Sequence, residues 1–177
     1  FQCLDFYLKD IDNGYAQQAP VKVFLMGDNR WVDLDDWPPQ VDMQSWCLGS
    51  DGSANMWSGN GALKREAPDR SMEDVFTYDP TNPVPTLGGA IYWGLDLWGP
   101  VDQRPILDRP DVLYYRSDPL PNPISIIGDI NLDLTMASDS VDTDFVAKLC
   151  VEEVSGAVTC LTVGSLRCRY RQSWSQP

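Results

Sequence analysis

The side chains with the most chemical capacity in this sequence are its carboxylates. Asp and Glu number 26, against 13 Lys and Arg and no histidine at all. Without histidine the chain lacks the usual general base for a serine or cysteine nucleophile, and also the commonest nitrogen ligand for a metal. Carboxylates alone can run acid–base hydrolysis when two of them flank a scissile bond. Here no pair separates itself from the Asp-Pro turns and the wet faces of strands, so no catalytic residue is assigned. The Gly-Ser pairs do not form the G-x-S-x-G of a nucleophile elbow, which needs glycine two before and two after the serine. Ser50, Ser53 and Ser58 read as turn residues instead. Asp33, Asp35 and Asp36 are sequential loop acids without the regular spacing and turn glycine of a calcium loop. Five cysteines are an odd number without zinc-type pair spacing. Cys150 and Cys160 flank a hairpin, where they either face each other or stay free thiols. No metal and no cofactor is expected.

What would have to position any site is a long irregular connection, Tyr78 to Tyr115, dense in Pro, Gly, Asp and large aromatics. Proline removes a backbone donor and glycine opens positive φ, so this spacing describes a structured loop. A loop of that length in a small domain is usually either functional or a sign that elements within it have gone unassigned. Around it the signals are short. Phe1 to Leu8 places Phe1, Leu4 and Leu8 on one helical face, with Asn13-Gly14 as the stop. Val21 to Gly27, VKVFLMG, is nearly all apolar, as a strand buried on both faces should be, and the chain offers it no evident partner. Ser45 to Leu48 is a further strand, followed by a Ser/Gly/Asp turn cluster. From Ile124 to Met136, apolar Ile130, Leu132, Leu134 and Met136 alternate with polar residues, a half-exposed antiparallel strand. Phe145, Ala147, Leu149 and Val151 alternate likewise before the Ser155-Gly156 turn, giving a hairpin. Several short strands between turns suggest a mostly-β chain with a jelly-roll-like β-sandwich.

Composition narrows the function classes. Hydrophobic residues make up 43% and charged residues 22%, a globular balance. A formal charge of −13 disfavours nucleic acid and anionic membranes as partners. No apolar run approaches the roughly 20 residues that span a bilayer, and no basic segment precedes an apolar core at the N-terminus. The chain is therefore expected to be soluble, without membrane insertion, and no compartment is indicated.

The segments YDPTNPVPTLGG, GPVDQRP, DRPDVLYYRSDPL and VDTDFVAKL occur in an order that resembles the C-terminal β domain of the cocaine esterase and X-Pro dipeptidyl-peptidase family of serine hydrolases. The resemblance implies that residues 1–40 are the tail of an α/β-hydrolase domain and its linker. Residues 41–177 would then be a non-catalytic jelly-roll-like domain, incomplete at its C-terminus because family members continue with further strands. It places the catalytic serine, aspartate and histidine upstream of Phe1. By the same resemblance, Tyr92 and Trp93, shortly after Gly88-Gly89, match two residues that wall the substrate cleft. Asp102, Gln103, Arg104 and Arg109 look structural, Arg104 pinning the loop through its planar fork to a nearby acid such as Asp102 or Asp108.

The first expectation is thus a non-catalytic domain that caps the cleft of a hydrolase of esters or amides and helps its assembly. Its partner is an upstream α/β-hydrolase domain in the same or another chain, with a homo-oligomer or larger complex as a further possibility. The alternative is a catalytically dead structural subunit of a larger complex. A third reading, a sugar-binding sandwich, rests on seven tryptophans.

Overall fold

The computed structural model describes residues 1–70, 72–89, 98–173 and 175. They form two compact units, Phe1–Gln44 with Asn122–Asp133, and Ser45–Pro121 with Leu134–Pro177.

The first unit opens with helix α1, Gln2–Lys9, which stops at Asp10 in the left-handed conformation (φ 51°). The stop expected at Asn13-Gly14 therefore comes earlier, since aspartate tolerates this conformation better than most residues. Asn13 and Gly14 instead start a single 3-10 turn, Tyr15–Gln17, with the Tyr15 N–H donating to Asn13 Oδ1. The expected apolar face is not what packs: Phe1, Leu4 and Leu8 are exposed. Phe6, on another face, meets the rings of Tyr7 and Tyr15 at 5.0 and 5.8 Å.

Strand β1, Val21–Leu25, pairs antiparallel with β2, Arg30–Leu34, in the register Val21 to Leu34 and Leu25 to Arg30. The expectation of a partnerless strand followed by an acidic linker is thereby corrected. Gly27 (φ 91°) and Asn29 (φ 53°) turn the chain back on itself, and Asp33 becomes a strand residue opposite Lys22. Burial alternates along β1, so one face only is covered, and exposed Phe24 lies edge-on to Trp31 at 5.4 Å.

The second unit holds β3, Cys47–Gly49, antiparallel to β4, Ala62–Lys64, and the hairpin of β5, Asp144–Glu152, with β6, Val158–Arg167. The hairpin falls where the Ser155-Gly156 signal puts it, with Gly156 at φ 82° and Glu153 N–H bonded to Ala157 O. Its register slips between Leu149 and Cys150. A bulge shifts the face of every following side chain, which turns Val151 outward against the simple alternation. Ile124 to Met136 does not form the expected strand. Both of its faces are exposed and it has no ladder among the described residues. Alternation records an extended chain, but a strand also needs a neighbouring edge.

The class is mostly β: three antiparallel pairs and no closed barrel among the described residues. Its buried apolar residues among the described ones, all in the second unit, are Ile106 and Leu107 of the long loop, Val158 and Cys160 of β6, and Ala54 in the β3–β4 connection.

Candidate functional site

The long connection from Tyr78 to Tyr115 is built as a loop with a fixed neck. Gly89 and Gly99 exchange two backbone hydrogen bonds, 2.9 and 3.1 Å, which brings the chain on either side of residues 90–98 together. Glycine is required there on two counts. Gly88 (φ 69°), Gly89 (φ 89°) and Gly99 (φ 79°) all lie in the left-handed region. A Cβ on Gly88 would also stand 2.6 Å from the Gly99 carbonyl, and one on Gly89 3.1 Å from Val163 of β6.

Below the neck, Gln103 is almost fully buried, at 2% exposure, and every polar group it carries is engaged. Its Nε2 donates to Leu87 O (3.1 Å) and Val101 O (2.8 Å), and its Oε1 accepts from Lys148 Nζ at 2.7 Å. Lys148 also reaches Leu87 O at 3.3 Å. The Gln103 backbone N–H donates to Val158 O, so this one residue links both ends of the loop to both strands of the hairpin.

Asp102 is the second fixing point. Its Oδ1 accepts from the backbone of Arg104 (3.0 Å) and of Val158 (3.3 Å), and its Oδ2 takes Arg104 Nε at 2.6 Å. The Arg104 side chain and then its backbone N–H hold the Asp102 carboxyl at about 2, against an opposing pull from burial, with Val158 N–H assisting. Asp108, the other acid considered for Arg104, is not its partner. Arg109 makes a two-pronged pair with Asp111, at 2.8 and 2.7 Å, and donates to Asn82 O at 2.6 Å. It thereby ties the start of the loop to its end. The Asp111 carboxyl is held low by that hydrogen bond from Arg109.

A further node joins the loop to the β3–β4 pair. Asp74 accepts from Ser50 Oγ (2.6 Å), Ala54 N (2.9 Å) and Tyr115 OH (2.7 Å). Burial pushes its carboxyl up, but these three donors together outweigh it and the group titrates below its ordinary value. Burial, then the bond to Asp74, raises the Tyr115 hydroxyl well above its usual range. Tyr114 OH donates to Ile106 O at 2.6 Å, and burial pushes that phenol up to about 12.

The structure thus brings Gly88, Gly89, Asp102 and Gln103 to one place, with Arg104 at its edge and Arg109 at a separate tie. Tyr92 and Trp93 lie outside the described residues. Lys148, Asn82, Asp74 and Tyr115 are contributors that sequence reasoning missed. Their partners lie 20 to 61 positions away, and only Lys148 left a hint, as the one cation within β5. Trp98 is exposed, while Trp57 packs edge-on to Tyr114, so the tryptophans do not share one role. Cys150 and Cys160 stand opposite each other in the hairpin as free thiols. Burial, followed by the neighbouring Cys160, pushes the Cys150 thiol up to about 11. Such an environment suppresses the thiolate that nucleophilic chemistry needs. No cluster able to hold a metal ion occurs among the described residues.

Comparison with known proteins agrees with this non-catalytic arrangement. Residues 13–177 match the model of the X-Pro dipeptidyl-peptidase C-terminal non-catalytic domain. The chain is 37% identical over 174 residues to a cocaine esterase of Rhodococcus sp. (strain MB1 Bresler), covering 98% of this chain and 30% of that protein. The crystal structure of an aminopeptidase from a marine sediment archaeon, Thaumarchaeota archaeon, superposes with a TM-score of 0.62 at 26% identity. That match covers 98% of this chain and 29% of the other. The chain therefore spans about a third or less of the relatives it matches.

Proposed function

Because the chain belongs to the family of X-Pro dipeptidyl-peptidase C-terminal non-catalytic domains, we propose that it caps the substrate cleft of an upstream α/β-hydrolase domain and shapes which acyl group enters. In this reading a serine outside the chain takes the acyl group of an ester or amide, and water then releases it. The observation that carries the proposal is the neck. A two-way Gly89–Gly99 bridge, a buried Gln103 and the Asp102–Arg104 pair together hold the base of one loop rigidly against the β5–β6 hairpin. Rigid support of a long loop is what a cleft-facing element needs. Tyr92 and Trp93 would supply a broad aromatic wall with hydrogen-bonding edges. Gly88, Gly89, Asp102, Gln103, Arg104 and Arg109 serve as its mount.

The first experiment is the intact mass of the native polypeptide together with labelling by a fluorophosphonate serine probe. A mass well above 19.8 kDa with probe attached is the expected result. A mass near that value without label would overturn the reading in favour of a structural subunit. In the labelled protein, Tyr92→Ala with Trp93→Ala should change the ratio of kcat/KM between an aromatic and a short aliphatic acyl ester while leaving probe attachment intact. An unchanged ratio would remove the wall.

A further inference from the structure

A cavity of about 260 Å³ opens on the β3–β4 pair, outside the loop neck. Cys47 and Lys64 are cross-strand partners, as are Gly49 and Ala62, so the four stand on one face of the pair. The small side chain of Ala62 leaves the floor open beside Gly49. The returning chain forms a wall, since Met72 N–H donates to Ser50 O at 2.9 Å and Pro68 closes on Gly49, where an added Cβ would meet Pro68 Cγ at 2.9 Å. Lys64 and Arg70 line this space.

Those two side chains are unlike the other cations. Every other Lys and Arg among the described residues has an ion pair, a hydrogen bond or an aromatic partner: Lys9, Lys22, Arg30, Arg104, Arg109, Arg116, Arg167 and Arg169 pair with acids. Arg65 covers the Trp46 ring, and Lys148 and Arg171 bond to neutral oxygens. Lys64 and Arg70 have no such partner among the described residues. In a chain carrying 26 acids and a net charge of −13, the two cations left over meet at one cavity. The acid beside them, Asp51, is engaged by Ser53 Oγ. Asn60 turns its Oδ1 toward the Asp51 N–H, which sends its amide nitrogen the other way.

We propose that this cavity binds a single oxyanion group, a carboxylate or a phosphate ester, between Lys64 and Arg70. An ammonium and a guanidinium lining one space can supply such a group with a point charge and a donor fork. The negative charge elsewhere on the chain repels anions, so this is the place where one can be held.

The test is equilibrium dialysis of radiolabelled inorganic phosphate against the native polypeptide that contains this chain, with acetate as competitor. Saturable uptake of one phosphate per chain is expected. Lys64→Gln and Arg70→Gln should each weaken it about tenfold, and Ala62→Leu, which fills the floor without changing charge, should abolish it. Melting temperatures of the variants check that the fold is retained. Displacement by acetate identifies a carboxylate as the natural group, and resistance to acetate a phosphate ester. Absence of saturable uptake for either ion, or uptake unchanged in the doubly substituted, folded protein, would overturn the proposal.

Discussion

At the scale of single residues, the chain spends its side-chain polarity on fixing one loop. Asp102 is the clearest case, and its behaviour with pH follows from its neighbours. An unfolded aspartate titrates near 3.8, whereas the Arg104 side chain and two backbone donors hold the folded carboxyl at about 2. The unfolded state therefore binds the proton more readily as pH drops. The contribution is fully present above about pH 4 and is lost as pH falls toward 2. Asp102→Asn should accordingly be less stable than the parent at pH 7, with the difference shrinking at pH 3, as read by urea unfolding at both values. An equal difference at both would mean that the carboxylate charge contributes nothing. Asp111 and Asp144, held low first by Arg109 and Arg167, shift the same way and leave an acid limb in the variant. Gln103 gives a second test. Gln103→Leu takes one of two donors from Leu87 O, which keeps Lys148, and from Val101 O, which keeps the Cys160 N–H, and removes the closest acceptor of the Lys148 ammonium, so it should cost about 1–3 kcal/mol. Combined with Lys148→Met, the cost should fall short of the sum of the two, because they share one hydrogen bond. Contacts such as Asp102 with Arg104 are visible in sequence because they are two residues apart. Lys148 with Gln103 is not, since only the tertiary fold brings positions 45 apart together.

At the scale of elements, turn chemistry carried the reading further than periodicity did. The β5–β6 hairpin was legible because a Ser-Gly turn stands between two alternating runs, and the family motifs marked the loop around Gly88-Gly89. β2 was not legible, because its acids imitate a linker and the turn that creates it depends on Asn29 adopting a positive φ. The segment from Ile124 to Met136 failed in the opposite sense. Its alternation is that of a strand, yet the described residues provide no edge for it to join. The neck offers a graded prediction at this scale. Gly99→Ala meets nothing within 4 Å and incurs only the left-handed strain, about 1–2 kcal/mol. Gly88→Ala adds a backbone clash, with Gly99 O at 2.6 Å from the new Cβ. Gly88→Ala should therefore be the more destabilising of the two in denaturant titrations. The reverse order would show that the Gly89–Gly99 bridge does not set the position of the loop.

At the scale of the whole molecule, charge rather than packing decides how the chain responds to its solvent. The second unit buries few apolar residues, and large ones stay exposed in both units, Trp31, Ile130 and Leu132 in the first and Trp98 in the second. Family membership gives these surfaces a context that composition could not, since the relatives are about three times longer than the chain. The ion pairs among the described residues are mostly exposed, each worth between nothing and about 1 kcal/mol. Against them stands an excess of 13 negative charges, whose mutual repulsion acts over longer distances. Salt distinguishes the two, because the screening length falls from about 30 Å at 0.01 M to about 3 Å at 1 M. Screening of that kind removes repulsion between distant acids almost completely, while contacts below 3 Å, such as Arg104 with Asp102, lose much less. The melting temperature should therefore rise between 10 mM and 1 M sodium chloride, and Asp118→Asn, an exposed acid with no ion pair among the described residues, should flatten that rise. A melting temperature that fell with salt would mean that the local pairs outweigh the net charge.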